Sequence, residues 1–139
     1  MIRFAAAYLS TGVVFLAFDV VWLSIAGGLL YRPLLQEMLA ENFRPAPAAL
    51  FYLLYIAGVV TFAVLPALAI GKLSTAFLNG SVLGLVAYGT YDLTNQATLK
   101  VWPPLLTVVD LVWGSALTAV AATAGAVITR VLLQRWAGV

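Results

Sequence analysis

The stretch "LNGSVLGLVAYGTYDLTNQ", residues 78–96, decides the fold. It begins as an apolar helix pattern and ends with polar residues. Five of its residues recur at every fourth position and form one stripe on a helix: Gly80, Gly84, Tyr88, Asp92 and Gln96. The two glycines allow a second helix to approach closely, whereas an aspartate facing lipid is costly. We therefore predict a membrane helix that turns this stripe inward and is the most buried helix of the protein.

The rest of the chain is too apolar for a soluble domain. Of its 139 residues 64% are hydrophobic and 9% are charged, with a mean hydropathy of +1.07, whereas soluble domains carry roughly 25% charged residues. A helix needs about 20 apolar residues to cross a bilayer, and four stretches are that long: 4–30, 48–70, 75–95 and 105–131. We predict an all-α membrane protein, a single transmembrane domain over residues 1–139 that forms a four-transmembrane-helix bundle.

The first connection, "YRPLLQEMLAENFRPAP", residues 31–47, has an amphipathic pattern. Its large apolar residues fall on one helical face: Leu34, Leu35, Met38 and Leu39. This pattern is typical of a helix that lies in the membrane interface, and Pro45 would end it. We therefore predict a short amphipathic interfacial helix in the first loop.

Basic residues in the connections predict the orientation, because cytoplasmic loops carry an excess of Lys and Arg. One side of the bundle would hold Arg3, Lys72, Arg130 and Arg135. The other side would hold Arg32, Arg44 and Lys100. The first side has the excess, so we predict that both termini are cytoplasmic.

Missing residue types and motifs exclude several kinds of chemistry. The chain has no cysteine and no histidine, which excludes Fe–S clusters, thiol chemistry and the usual zinc or haem ligation. It also has no nucleotide-binding loop, metal-ligand spacing or nucleophile elbow. No basic cluster suggests nucleic acid. We predict no metal site, no cofactor and no nucleic-acid partner.

Three aspartates lie in apolar segments, where each carboxylate costs several kcal/mol unless it is paired, hydrated or protonated. Asp19-x-x-Trp22 and Asp110-x-x-Trp113 place an aspartate and a tryptophan on one helix face. The helical rise puts these two aspartates and Asp92 in the same, non-cytoplasmic half of the membrane.

We therefore predict that the three carboxylates converge in a buried acidic pocket, with Lys100 and Arg32 as counter-charges from the loops. Interhelical hydrogen bonding is the structural alternative, since polar pairs of this kind ordinarily join membrane helices. The predicted solute- or ion-binding residues are Asp19, Trp22, Tyr88, Tyr91, Asp92, Asn95, Lys100, Asp110 and Trp113.

The chain also resembles a known family. Four segments carry the resemblance: "FDVVWL", "FYLLYIAGVVTFAVLPAL", "AYGTYDLTNQATLKVWP" and "VDLVWGSALTA". They are similar to an uncharacterised family of small bacterial four-helix membrane proteins, a domain of unknown function with a Y-D-L-T-N motif followed by L-K-x-W-P. The resemblance covers nearly the whole chain. It implies a bacterial inner-membrane location and supplies no established activity.

Three functions remain open, with the lipid bilayer as a partner in each. The leading hypothesis is a protein that binds or translocates a small polar or cationic solute through the acidic pocket. Four helices are few for a transport path, so transport would require a homodimer. The second is an enzyme or enzyme subunit acting on a lipid, with Asp92 or Asp110 as general acid or base and Tyr91 or Lys100 orienting the substrate. The third is a non-catalytic scaffold or accessory subunit.

Overall fold

The computed structural model describes residues 1–137, apart from the side chains of Glu37 and Ala137, and all regular structure in this part of the chain is helical. Residues 138 and 139, the end of the predicted domain, lie outside the described residues. The described residues form four long helices: α1 (Ile2–Leu35), α2 (Pro45–Ile70), α3 (Leu73–Thr98) and α4 (Pro104–Ala137). The predicted all-α class is confirmed.

Helices α1, α2 and α4 are long and apolar enough to cross a membrane. Helix α3 has comparable length, with 26 residues, but its asparagines, aspartate and threonines lower its hydropathy.

Local chemistry explains where the helices begin and end. Pro45 and Pro104 occupy the first turns of α2 and α4, where a missing backbone N–H costs nothing and the fixed φ suits the helix. Gly71 ends α2 in the left-handed conformation, with φ of 71°, which glycine adopts without steric cost. Helix α3 begins two residues later, so α2 and α3 form a tight antiparallel pair.

The structure does not confirm a separate interfacial helix in the first loop. Instead α1 continues to Leu35, and a single 3₁₀ turn, Gln36–Met38, follows before the chain becomes irregular. Leu35 packs against Trp102 and Leu106. This contact holds the segment on the bundle and explains why its apolar face does not form an independent helix.

The prediction that α3 is the most buried helix is wrong, because α4 occupies the centre of the bundle. Both α1 and α3 pack along α4, whose inward positions are mostly small residues. These buried residues include Gly114, Thr118, Ala119, Ala121, Ala122, Gly125, Ala126 and Thr129. Small side chains let two helices approach the same helix from different sides.

The glycine stripe of α3 does pack as the sequence predicts. A Cβ added at Gly80 would lie 2.8 Å from the carbonyl oxygen of Thr118, and one added at Gly84 would overlap the backbone of Gly114. Gly125 of α4 makes the same close approach to Thr11 of α1. Three glycines therefore set the spacing of α1, α3 and α4.

Both α1 and α2 contain a π-helical turn, at Gly27–Tyr31 and Val60–Val64. Such turns widen the helix by one residue and displace backbone hydrogen bonds. In α2 the amide of Asn79 from α3 donates to the carbonyl oxygen of Phe62 at 2.9 Å. A side chain of the neighbouring helix thus satisfies a carbonyl within the widened turn.

Candidate functional site

All four helices contribute to one cavity of about 430 Å³. It lies in the half of the bundle where α1 and α3 end and where α2 and α4 begin. Two aspartates, seven aromatic residues and two aliphatic residues line it: Asp19, Trp22, Leu23, Tyr31, Phe51, Tyr52, Ala87, Tyr88, Tyr91, Asp110 and Trp113. The lining contains two carboxylates and no lysine or arginine.

Each carboxylate of the cavity accepts a hydrogen bond from a tyrosine of another helix. The hydroxyl of Tyr52 donates to Asp19 at 2.5 Å, and the hydroxyl of Tyr31 donates to Asp110 at 2.6 Å. Both aspartates are buried, with 6% and 4% of their surface exposed. A buried carboxylate needs such donors because it has lost its water, so these tyrosines hold both acids in place.

The π-helical turn of α1 explains how Tyr31 reaches the cavity. Trp22 and Tyr31 are nine residues apart, which in a regular α-helix is about 2.5 turns and places them on opposite faces. The wider turn rotates Tyr31 back, and the indole nitrogen of Trp22 donates to its hydroxyl at 3.1 Å. Gly27 and Gly28 begin this turn, and a Cβ on either would meet no atom within 4 Å. Such turns are frequent at functional sites.

Aromatic rings form much of the cavity wall. Trp22 and Trp113 stack with their ring centroids 4.4 Å apart and their planes 12° apart. Tyr88 of α3 meets Tyr55 edge to face at 6.4 Å, and the hydroxyl of Tyr55 lies 2.8 Å from that of Thr118. Stacked and edge-to-face rings of this kind attract each other beyond the area that they bury, so these contacts help to hold the wall together.

Six of the nine predicted site residues surround this cavity. They are the two Asp-x-x-Trp pairs and two tyrosines of α3: Asp19, Trp22, Tyr88, Tyr91, Asp110 and Trp113. The expectation that all three aspartates meet in one chamber is wrong in part, because Asp92 does not line it.

Asp92 lies one residue beyond Tyr91 on α3, within electrostatic range of Asp110. It is completely buried, and neither carboxylate oxygen has a hydrogen-bond partner among the described residues. The indole nitrogen of Trp113 is likewise without a partner in this part of the chain. Beside the cavity there is thus a third carboxylate, that of Asp92, which has no hydrogen-bond partner in the described chain.

Asn95 and Lys100 do not line the cavity. Asn95 is half-buried near the end of α3, whereas Lys100 and Arg32 are exposed, and neither basic side chain hydrogen-bonds an aspartate in the described chain. They therefore do not act as the predicted counter-charges. Nearby, the indole nitrogen of Trp102 donates to the hydroxyl of Thr107 at 3.0 Å, and that hydroxyl donates to the side-chain oxygen of Gln96 at 2.8 Å. The polar end of residues 78–96 is thereby joined to α4.

Sequence reasoning missed three aromatic residues of the site: Tyr31, Phe51 and Tyr52. Tyr52 carried a usable signal, since a tyrosine within an apolar helix needs a partner for its hydroxyl. Tyr31 carried none, because its position depends on the π-helical turn. Among the described residues, no group of three or more His, Cys, Asp or Glu side chains is placed so that it could hold a metal ion.

Comparison with known proteins identifies a family and nothing more specific. No curated protein and no solved structure matches the chain. A family described as "Predicted membrane protein (DUF2177)" matches residues 4–127, which include all four long helices in large part and both Asp-x-x-Trp pairs. The chain belongs to this family of membrane proteins.

Proposed function

We propose that this membrane protein binds a small organic cation, an amine or a quaternary ammonium, in the cavity between its four helices. The observation that carries the proposal is the pairing of two buried carboxylates, Asp19 and Asp110, with the stacked rings of Trp22 and Trp113 around one space. No basic residue lines that space, so an incoming cation would be its only positive charge.

The two kinds of group act on different parts of such a ligand. Carboxylates compensate for the hydration that a cationic ligand loses on entering the bundle, while aromatic faces attract a cation by about 0.5–2 kcal/mol each. Inorganic cations such as Ca²⁺ need about 6–8 oxygen ligands, which two carboxylates already bonded to tyrosines do not supply. The volume of about 430 Å³ lies within the range of small-molecule sites.

The proposal includes the arrangement in the membrane. Helix α3 with its 26 residues would be about 39 Å long, enough to cross a bilayer, and its aspartate and glycines face protein rather than lipid. We therefore infer four crossings in a bacterial inner membrane, with both termini in the cytoplasm. If the cation is translocated rather than only bound, we expect two copies of the chain to act together.

Cysteine labelling tests this topology. The chain has no native cysteine, so single cysteines at Ser74 and Asn42 are labelled unambiguously. Both positions are exposed, Ser74 in the first turn of α3 and Asn42 in the connection between α1 and α2, at the opposite end of the bundle. We expect an impermeant maleimide to label the cysteine at position 42 in intact cells and the one at position 74 only after lysis. Labelling of position 74 alone in intact cells would reverse the orientation, and labelling of both would contradict four crossings.

Ligand selectivity tests the binding site. We expect isothermal titration calorimetry of the purified protein to show that tetramethylammonium and short alkylamines bind at least about tenfold more tightly than neutral molecules of the same shape. Sodium and potassium should not compete. Equal binding of charged and neutral isosteres would contradict the proposal, and no binding of any cation would favour a scaffold.

A lipid headgroup is the second candidate for the cation, because one residue lies both in the cavity wall and in a groove on the side of the helix bundle. Tyr52 lines both the acidic cavity and an apolar groove between α1 and α2 that includes Leu9, Val13 and Ile56. An amine-bearing lipid would place its headgroup by Asp19 and an acyl chain along the groove. Tighter binding of a long-chain than of a short-chain alkylammonium would support this candidate, whereas equal affinities would exclude it.

A further inference from the structure

A second cavity of about 440 Å³ lies at the opposite end of the bundle from the acidic one. It is formed where α1 and α3 begin and where α2 and α4 end. Arg3 of α1 and Arg130 of α4 both line it, together with Gln134 and the turn that contains Gly71. These residues are far apart in the chain, and only the antiparallel packing of the helices brings them together.

The charges at this end are all positive among the described side chains. The chain contains five acidic residues, and all belong to the other half of the bundle or to its first loop: Asp19, Glu37, Glu41, Asp92 and Asp110. Arg3 and Arg130 therefore have no side-chain carboxylate near them, and two arginines brought to one cavity repel each other. An anion placed between them would remove that repulsion.

The backbone adds to the positive potential. Helix α3 starts at Leu73, which lines the cavity, and no side chain caps its first turn. The first N–H groups of a helix are unpaired and carry the positive end of the helix dipole, an arrangement that binds phosphate in many proteins. Here it acts together with two guanidinium groups from other helices.

We propose that this basic cavity binds a phosphate group, either as the headgroup of an anionic phospholipid or as free phosphate. Guanidinium groups donate two parallel hydrogen bonds to phosphate oxygens, and the Gln134 amide adds a further donor. The remaining lining includes Ala67, Leu68 and Leu133, which suits the glycerol and first carbons of a lipid. Both arginines are exposed, so a headgroup can reach them from the membrane surface.

Native mass spectrometry and calorimetry test this site on the full chain. In mixed nanodiscs, the wild-type protein should retain phosphatidylglycerol at least about tenfold more strongly than phosphatidylcholine. The double variant Arg3→Gln/Arg130→Gln should lose this preference. The matched control is Arg135→Gln, a basic residue of the same helix end that does not line the cavity, and it should behave as wild type.

The source of the phosphate group is distinguished by adding inorganic phosphate to protein in purely phosphatidylcholine nanodiscs. Saturable binding that the double variant loses indicates free phosphate, while its absence beside a phosphatidylglycerol preference indicates the lipid. Should the double variant fail to fold, Arg3→Lys/Arg130→Lys replaces it, and a weakened preference is expected since Lys lacks the bidentate geometry. Equal retention of both lipids together with no phosphate binding by wild type would overturn the proposal, as would equal loss in the Arg135→Gln control.

Discussion

Replacing Gly84 with leucine is expected to separate α3 from α4 and prevent the bundle from forming. A Cβ at Gly84 would overlap the backbone of Gly114 and approach the Thr118 hydroxyl at 2.8 Å, and a backbone cannot move aside as a flexible side chain can. Overpacking of a core usually costs about 1–3 kcal/mol, and an overlap with backbone lies at or beyond the top of that range. The measurement is thermal unfolding in detergent, with size-exclusion chromatography to detect aggregation.

Gly58 supplies the matched control, because a Cβ added there meets no atom within 4 Å. Gly58→Leu also places a larger apolar residue in a membrane helix, so it isolates the effect of packing from that of composition. We expect it to unfold within a few degrees of the wild type. Equal melting temperatures for the two leucine variants would contradict the close α3–α4 contact.

Replacing Asp19 and Asp110 together with asparagine is expected to abolish binding of organic cations while the protein stays folded. The amide keeps an oxygen that accepts the hydrogen bonds of Tyr52 and Tyr31, but it removes both negative charges from the cavity. Hydrogen bonds and contacts to charged groups contribute about 1.5–3 kcal/mol each, so affinity should fall at least about 100-fold. Calorimetry with tetramethylammonium measures the loss, and unfolding temperatures measure the fold.

The control for charge is Glu41→Gln, which removes a carboxylate from the exposed first loop and should not change affinity. Asp92→Asn is a second comparison, because this buried carboxylate does not line the cavity. We expect it to change the affinity less than replacing Asp19 or Asp110 alone does. If the double variant binds the cation as tightly as the wild type, the cavity is not the binding site. If it binds normally and also unfolds earlier, the aspartates serve interhelical bonding instead.

The apolar composition and the length of the apolar runs were sufficient to predict the helices. A segment with few charges buries its backbone in lipid only as a helix, so the four runs became four helices whatever their packing. The every-fourth-residue glycines likewise predicted a close contact for α3. The sequence could not show that α4 is the partner of both α1 and α3. Small residues are frequent in several helices, and which helices pack together depends on the whole set of helices.

For the candidate site, the sequence by itself determined which groups cannot face lipid. Carboxylates at positions 19, 92 and 110 must lie inside the bundle, and their spacing from tryptophans placed two of them beside Trp22 and Trp113. Only the tertiary structure decided how they are arranged. A π-helical turn, which depends on where backbone hydrogen bonds are satisfied, brings Tyr31 to Asp110, and the position of α2 brings Tyr52 to Asp19. The helical period predicted that Asp92 faces inward, but whether it lines the cavity depends on how all four helices pack together. In the folded bundle it lies outside the cavity lining.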